Sequence, residues 1–149
     1  MTCIIGCDHA GLKLANEILE HLQGSASKII HIFPQDGARV DYPDYANLVC
    51  KEVLSESAQN KNAFGILVCG SGIGMSVAAN KIKGIRAALC INEYMAHYAR
   101  AHNNANVLCL GERVVGNGVA LEIVDKFLST EFEGGRHKIR VEKINLMQE

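Results

Sequence analysis

Short apolar runs alternate with amphipathic segments along the whole chain, and that alternation leaves few folds open. The runs TCIIG (2–6), KIIHIF (28–33), AFGILVC (63–69), IRAALCI (85–91) and NVLCLG (106–111) are almost continuously apolar, as strands buried on both faces are. Between them lie LKLANEILEHLQ (12–23), DYANLVCKEVLSE (44–56), MSVAANKI (75–82), EYMAHYARAHN (93–103) and GVALEIVDKFLST (118–130), each with helical spacing. In the first of these helices Leu12, Ala15, Leu19 and Leu22 share one face. A closing segment, HKIRVEKINLM (137–147), reads as a further helix after EGG. This order implies right-handed βαβ units and a doubly wound α/β fold: a five-stranded parallel sheet with helices on both faces. Such sheets bind ligands beyond the C-terminal ends of their strands, near the reversal of strand order, so strand ends are where chemistry is expected.

No linker or internal repeat interrupts the pattern, so one domain over 1–149 is expected. With 48% hydrophobic and 21% charged residues the 149-residue chain can bury a core of its own. Its net charge of −1 gives no global field toward nucleic acid or an anionic membrane. An anionic ligand therefore needs a local cluster of cations or backbone N–H groups. The opening MTCIIGCDHAG is unlike a signal peptide, and no apolar run approaches the roughly 18 residues of a membrane span, so a cytoplasmic location is expected. Six cysteines, at positions 3, 7, 50, 69, 90 and 109, form no CxxC pair. Cys3, Cys69, Cys90 and Cys109 fall within apolar runs, where a reduced cysteine acts as a small hydrophobe.

Cys69 stands apart because the third strand delivers it straight into GSGIG (70–74) and a helix. Glycines at a helix N-terminus leave backbone N–H groups open to an anion, and the positive end of the helix favours a neighbouring thiolate. The spacing is neither the dinucleotide GxGxxG nor a Walker loop. The first strand ends in GCDHAG, placing Asp8 and His9 at a ligand-facing edge, although an aspartate there is also a common helix cap. ARAHNNANV puts Arg100, His102 and Asn103 at a helix end, where a histidine can either serve the dipole or move a proton. In EGGRHKIRVEK, Arg136 and Arg140 form an i, i+4 pair that suits a phosphate, with Arg113 in GERVVG as a further cation. Thiol, nest, Asp–His, His–Asn and arginine pair together suit proton transfer on a phosphorylated small molecule.

GCDHAG (6–11), DYPDYA (41–46), CGSGIGMSVAANKIKGIRAALC (69–90), HNNANVLCLGERVVG (102–116) and EGGRHKIRV (133–141) together resemble the ribose-5-phosphate isomerase B family. That family belongs to the wider group of sugar-phosphate isomerases that includes galactose-6-phosphate isomerase subunits. The resemblance implies a Rossmann-like fold and aldose–ketose isomerisation with no cofactor and no metal. It implies Cys69 as the base moving a proton between C2 and C1 through a cis-enediolate, and Gly70, Ser71, Gly72, Ile73 and Gly74 as the loop that holds the enediolate. Ser71 keeps the hydroxyl that many relatives supply with threonine. His102 matches the acid that opens the furanose ring, Asp8 and Asn103 match residues on sugar hydroxyls, and Tyr42 lines the pocket. His9, Arg136 and Arg140, joined by Arg113, match the phosphate set. The family's pocket lies between two subunits, which implies a homodimer, or a tetramer of paired dimers, with the C-terminal helix packed on the partner. Six-carbon phosphates such as allose or galactose 6-phosphate are the rival substrates, and a non-catalytic sugar-phosphate binding module is the rival class. Neither nucleic acid nor membrane is an expected partner.

Overall fold

The computed structural model describes residues 1–59 and 62–147; residues 60, 61, 148 and 149 of the expected single domain lie outside the described residues. The strands are β1 (Thr2–Cys7), β2 (Lys28–Ile32), β3 (Ala63–Cys69), β4 (Ala87–Leu89) and β5 (Val107–Gly111). The helices are α1 (Leu12–Leu22), α2 (Tyr42–Ala58), α3 (Ile73–Ala79), α4 (Glu93–Ala101), α5 (Asn117–Ser129) and α6 (Arg136–Leu146). All pairings are parallel, in the order β2-β1-β3-β5-β4. The order reverses between β1 and β3, and there the register sets Cys7 beside Val68, so the first and third strands end side by side. The Asp8 N–H donates to the Val68 carbonyl and extends that pairing past the strand.

Two cores line the two faces of the sheet. One gathers Cys3, Ile5, Ile66 and Leu108 with α1, α4 and α5; the other gathers Ile4, Leu67, Val107 and Cys109 with α2 and α3. Alternate residues of one strand thus serve opposite cores, which is why the central runs read as unbroken apolar stretches. On α1 the buried set is Leu14, Ala15, Ile18 and Leu22, rotated slightly from the expected stripe; Leu12 and Leu19 pack at its margin.

The expected strands 28–33 and 85–91 are not buried on both faces. They form the sheet edges: β2 is half-buried, and β4 contracts to three half-buried residues. The β4 edge is tied off by side chains that imitate a neighbouring strand. The Asn80 amide accepts from Ala87 N–H and donates to Ala87 C=O, both at 2.9 Å. Asn106 accepts from Arg86 N–H at 2.8 Å and donates to Gly84 C=O at 2.9 Å. A blocked edge leaves no free row of backbone groups there.

Candidate active site

Beyond the ends of β1 and β3 lies a cavity of about 460 Å³, lined by Asp8, His9, Ala10, Arg39, Tyr42, Cys69, Gly70, Ser71, Gly74, Arg113 and Val114. The chain reaches this arrangement through its backbone. After Cys69 the loop turns at Gly72, whose φ of +76° is costly for a side-chain residue. A Cβ at Gly72 would also lie 2.5 Å from the Leu89 side chain and 2.9 Å from the Leu110 backbone. That turn aims the Gly72 N–H at Cys69 Sγ, 3.1 Å away. The Glu112 and Arg113 N–H groups donate to the carbonyls of Cys69 and Gly70 and clamp the loop to the end of β5.

The loop is less open than its glycines suggest. The Gly72 N–H is spent on the sulfur, and Ile73 N–H donates to Ser71 Oγ at 3.3 Å. Helix α3 starts at Ile73, two residues earlier than expected, so Ile73 and Gly74 form its first turn. N–H groups of a first turn have no partner inside the helix, and Gly74 faces the cavity. The Tyr42 ring lies against Gly74, where a Cβ would come within 2.8 Å of it.

Asp8 does not cap α1. Its Oδ1 accepts from Ala10 N–H at 2.9 Å, and the helix takes its cap from far away, with Leu14 N–H donating to Glu112 Oε2 at 2.9 Å. Glu112 is thereby engaged with α1, while Arg113 passes over Gly70, whose Cβ would lie 3.1 Å from the guanidinium. His9 Nδ1 accepts from Val40 N–H at 3.3 Å, an assignment that places the ring proton on Nε2. Burial pushes the thiols of Cys7, Cys50 and Cys90 up to about 12 and that of Cys3 to about 11, and it raises Cys109 as well. Those five are held as inert thiols.

The remaining expected residues do not join this cavity within one chain. His102 follows α4 and precedes β5, so it lies at the N-terminal edge of the sheet, where Gly65 N–H meets Asn106 C=O near the start of β3. A strand of seven residues such as β3 separates the two edges by roughly 20 Å. Asn103 lines a separate recess with Asn80, Arg86 and Ile144. Arg136 and Arg140 sit on α6 as the expected i, i+4 pair. Arg100 is not a ligand-facing cation. It is buried over Phe64 at 4.6 Å and donates to Ala105 C=O at 2.6 Å and Asn104 Oδ1 at 2.9 Å. It thereby fixes the end of α4 that carries His102.

The His102 ring stacks on His137 of α6, with centroids 3.9 Å apart and planes inclined by 11°. Glu133 Oε2 lies 3.6 Å from Nε2 of His102 and 3.7 Å from Nε2 of His137. Burial, with His102 and Arg136 alongside, pushes the His137 imidazole below its usual value. These three side chains are the one group of metal-ligand type among the described residues with donor atoms within 4.8 Å of one another. The near-parallel rings aim their lone pairs side by side instead of at one point, and Arg136 Nε donates to His137 Nε2 at 3.5 Å. The donor set is poorly arranged for an ion. Arg39, Glu112, Glu133 and His137 were not singled out by spacing or composition; each lies beside a motif residue but completes no recognisable pattern alone.

Comparison with known proteins bears on the whole chain. The family described as Ribose/Galactose Isomerase matches residues 3–144. Ribose-5-phosphate isomerase B of Escherichia coli is 44% identical over 144 residues, covering 97% of this chain and 94% of that protein. The solved ribose-5-phosphate isomerase B of Clostridium thermocellum has 47% identity and a TM-score of 0.93, covering 99% of this chain and 97% of its own. The Mycoplasma genitalium enzyme, solved with bound ribulose-5-phosphate, has 44% identity and a TM-score of 0.90, covering 99% and 95%. Among the described residues no helix is long and apolar enough to cross a membrane.

Proposed function

This chain belongs to the ribose/galactose isomerase family, and from that premise we propose that it interconverts ribose 5-phosphate and ribulose 5-phosphate with Cys69 as the base. The observation that carries the reading is the Gly72 N–H held on Cys69 Sγ at 3.1 Å, in a cavity also lined by Asp8, His9 and Arg113. The sulfur is thereby held at the cavity wall, where it can exchange a proton with substrate carbon.

The reaction opens with the ring. His102 gives a proton to the ring oxygen as the bond from C1 to that oxygen breaks, and the anomeric hydroxyl yields its proton to the Asp8 carboxylate. The Cys69 thiolate then removes the proton from C2, and the electron pair becomes the C1–C2 double bond of an enediolate. Unspent N–H groups of the loop, with the Ser71 hydroxyl, stabilise that charge; one such donor is typically worth 10²–10³ in rate. The O2 hydroxyl proton passes to O1 as the thiol returns its proton to C1, and C2 becomes the carbonyl of the ketose. His9 Nε2–H, Arg113, Arg136 and Arg140 hold the phosphate, Asn103 holds a sugar hydroxyl, and Tyr42 closes the wall beside Gly74.

Two chains are needed for the full set. The roughly 20 Å between sheet edges supports this reading, because one chain does not bring Cys69 to His102, Arg136 and Arg140. Ile73 and Val77 of α3, Tyr94 of α4, and Ile139 and Leu146 of α6 are exposed apolar side chains that suit a homodimer with α6 on the partner. The unit is one domain, and its six unpaired cysteines suit the reducing cytoplasm.

The test is conversion of ribose 5-phosphate in the presence of chelator, with Cys69→Ala alongside. Turnover that survives chelator and falls at least ~10³-fold in the variant supports the reading. No turnover by the intact protein on ribose 5-phosphate, with turnover on a six-carbon phosphate, would transfer the same mechanism to the longer sugar.

A further inference from the structure

The carboxylate of Glu133 lies against a cluster that is otherwise aromatic and cationic among the described residues. Around His102 stand Tyr98 of its own helix, with ring centroids 4.6 Å apart, and His137 stacked from α6 at 3.9 Å. Arg136 meets His137 at 3.5 Å, Arg140 adds its charge from the next turn, and buried Arg100 lies two residues before His102. The arginines bring positive charge to this face. Glu133 opposes them from the turn before α6, and its own N–H donates to Ala101 C=O at 3.0 Å, so its backbone is fixed to the end of α4.

We propose that Glu133 is a positioning residue for His102: its carboxylate, 3.6 Å from Nε2, orients the ring where His137 and the arginines crowd it. The inference rests on the reading of His102 as the ring-opening acid. The stack is asymmetric. His137 Nε2 is engaged by Arg136 Nε, whereas His102 Nε2 faces Glu133 alone among these contacts. A carboxylate so placed serves ring opening and has no part in the proton transfer at carbon.

The experiment separates those two steps. Glu133→Gln and the intact enzyme are compared in pH–rate profiles for ribose 5-phosphate, and in deuterium wash-in at C1 of ribulose 5-phosphate in D₂O. Wash-in passes through the enediolate from an open-chain ketose and needs no ring opening. Glu133→Gln should lower kcat for ribose 5-phosphate about 10-fold at every pH, while wash-in stays within about 2-fold. An unchanged kcat, or a wash-in slowed as much as conversion, would overturn the proposal. His102→Asn distinguishes the underlying reading: full conversion in that variant removes His102 as the acid, whereas impaired His102→Asn beside unimpaired Glu133→Gln removes only the role of Glu133.

Discussion

The two ends of the sheet carry the chemistry in opposite ways. At the C-terminal end the backbone does the placing: β1 and β3 end side by side, Gly72 turns its N–H onto sulfur, and β5 clamps the loop. Cys69 and Asp8 are buried there, at 5% and 6% exposed. At the N-terminal end side chains do the placing: His102 is held by a ring stack and a carboxylate, on a surface that also carries exposed Ile139 and Leu146. The difference teaches that the fold by itself places the proposed base and its glycine loop, whereas the proposed acid and phosphate clamp are presented outward. In the proposed dimer each chain offers one half-site to its partner at each end.

Substitutions at the two ends should therefore fail differently. After loss of the Cys69 thiol itself, the largest effect is expected from Gly72→Ala, because a Cβ meets backbone at 2.9 Å and the φ of +76° is retained only with strain. Displacing the N–H from sulfur should cut kcat about 10²-fold, and left-handed strain alone should cost about 1–2 kcal/mol, read together from turnover and thermal unfolding. A variant with normal kcat would break the link between turn and thiolate. Arg140→Ala should act at the other end with a smaller effect. Losing one charge-assisted contact of about 1.5–3 kcal/mol raises KM for the phosphorylated substrate roughly 10- to 100-fold, with kcat within a few-fold. A kcat loss without a KM change would place Arg140 outside phosphate binding.

Much of this was legible in the residues. The central strands announced themselves because residues alternating between two cores are apolar on both faces, and Cys69 stood out by sitting where such a run meets glycines. The edge strands were overread: IRAALCI carries the composition of a buried strand but supplies only three paired residues, because composition reports apolarity and not position in the sheet. The burial of Arg100 over Phe64 was likewise not legible, since nothing in ARAHNNANV distinguishes a buried cation from an exposed one. The long-range partners were invisible. Glu112 caps a helix 98 residues away, and Glu133 faces His102 only because Gly134 and Gly135 turn the chain back. The separation of Cys69 from His102 follows from strand direction, which motif spacing does not encode.

The central claim is that one active site is assembled from two chains. Its most direct test is the heterodimer of Cys69→Ala and Arg140→Ala chains, coexpressed with different tags and assayed at substrate well below KM. In a shared site, one of the two pockets receives Cys69 from one chain and Arg140 from the other, both intact, so activity should return to about half that of the unmodified dimer. Activity no higher than that of the better parent would contradict the shared site and require Cys69 and Arg140 to serve the same substrate from within one chain.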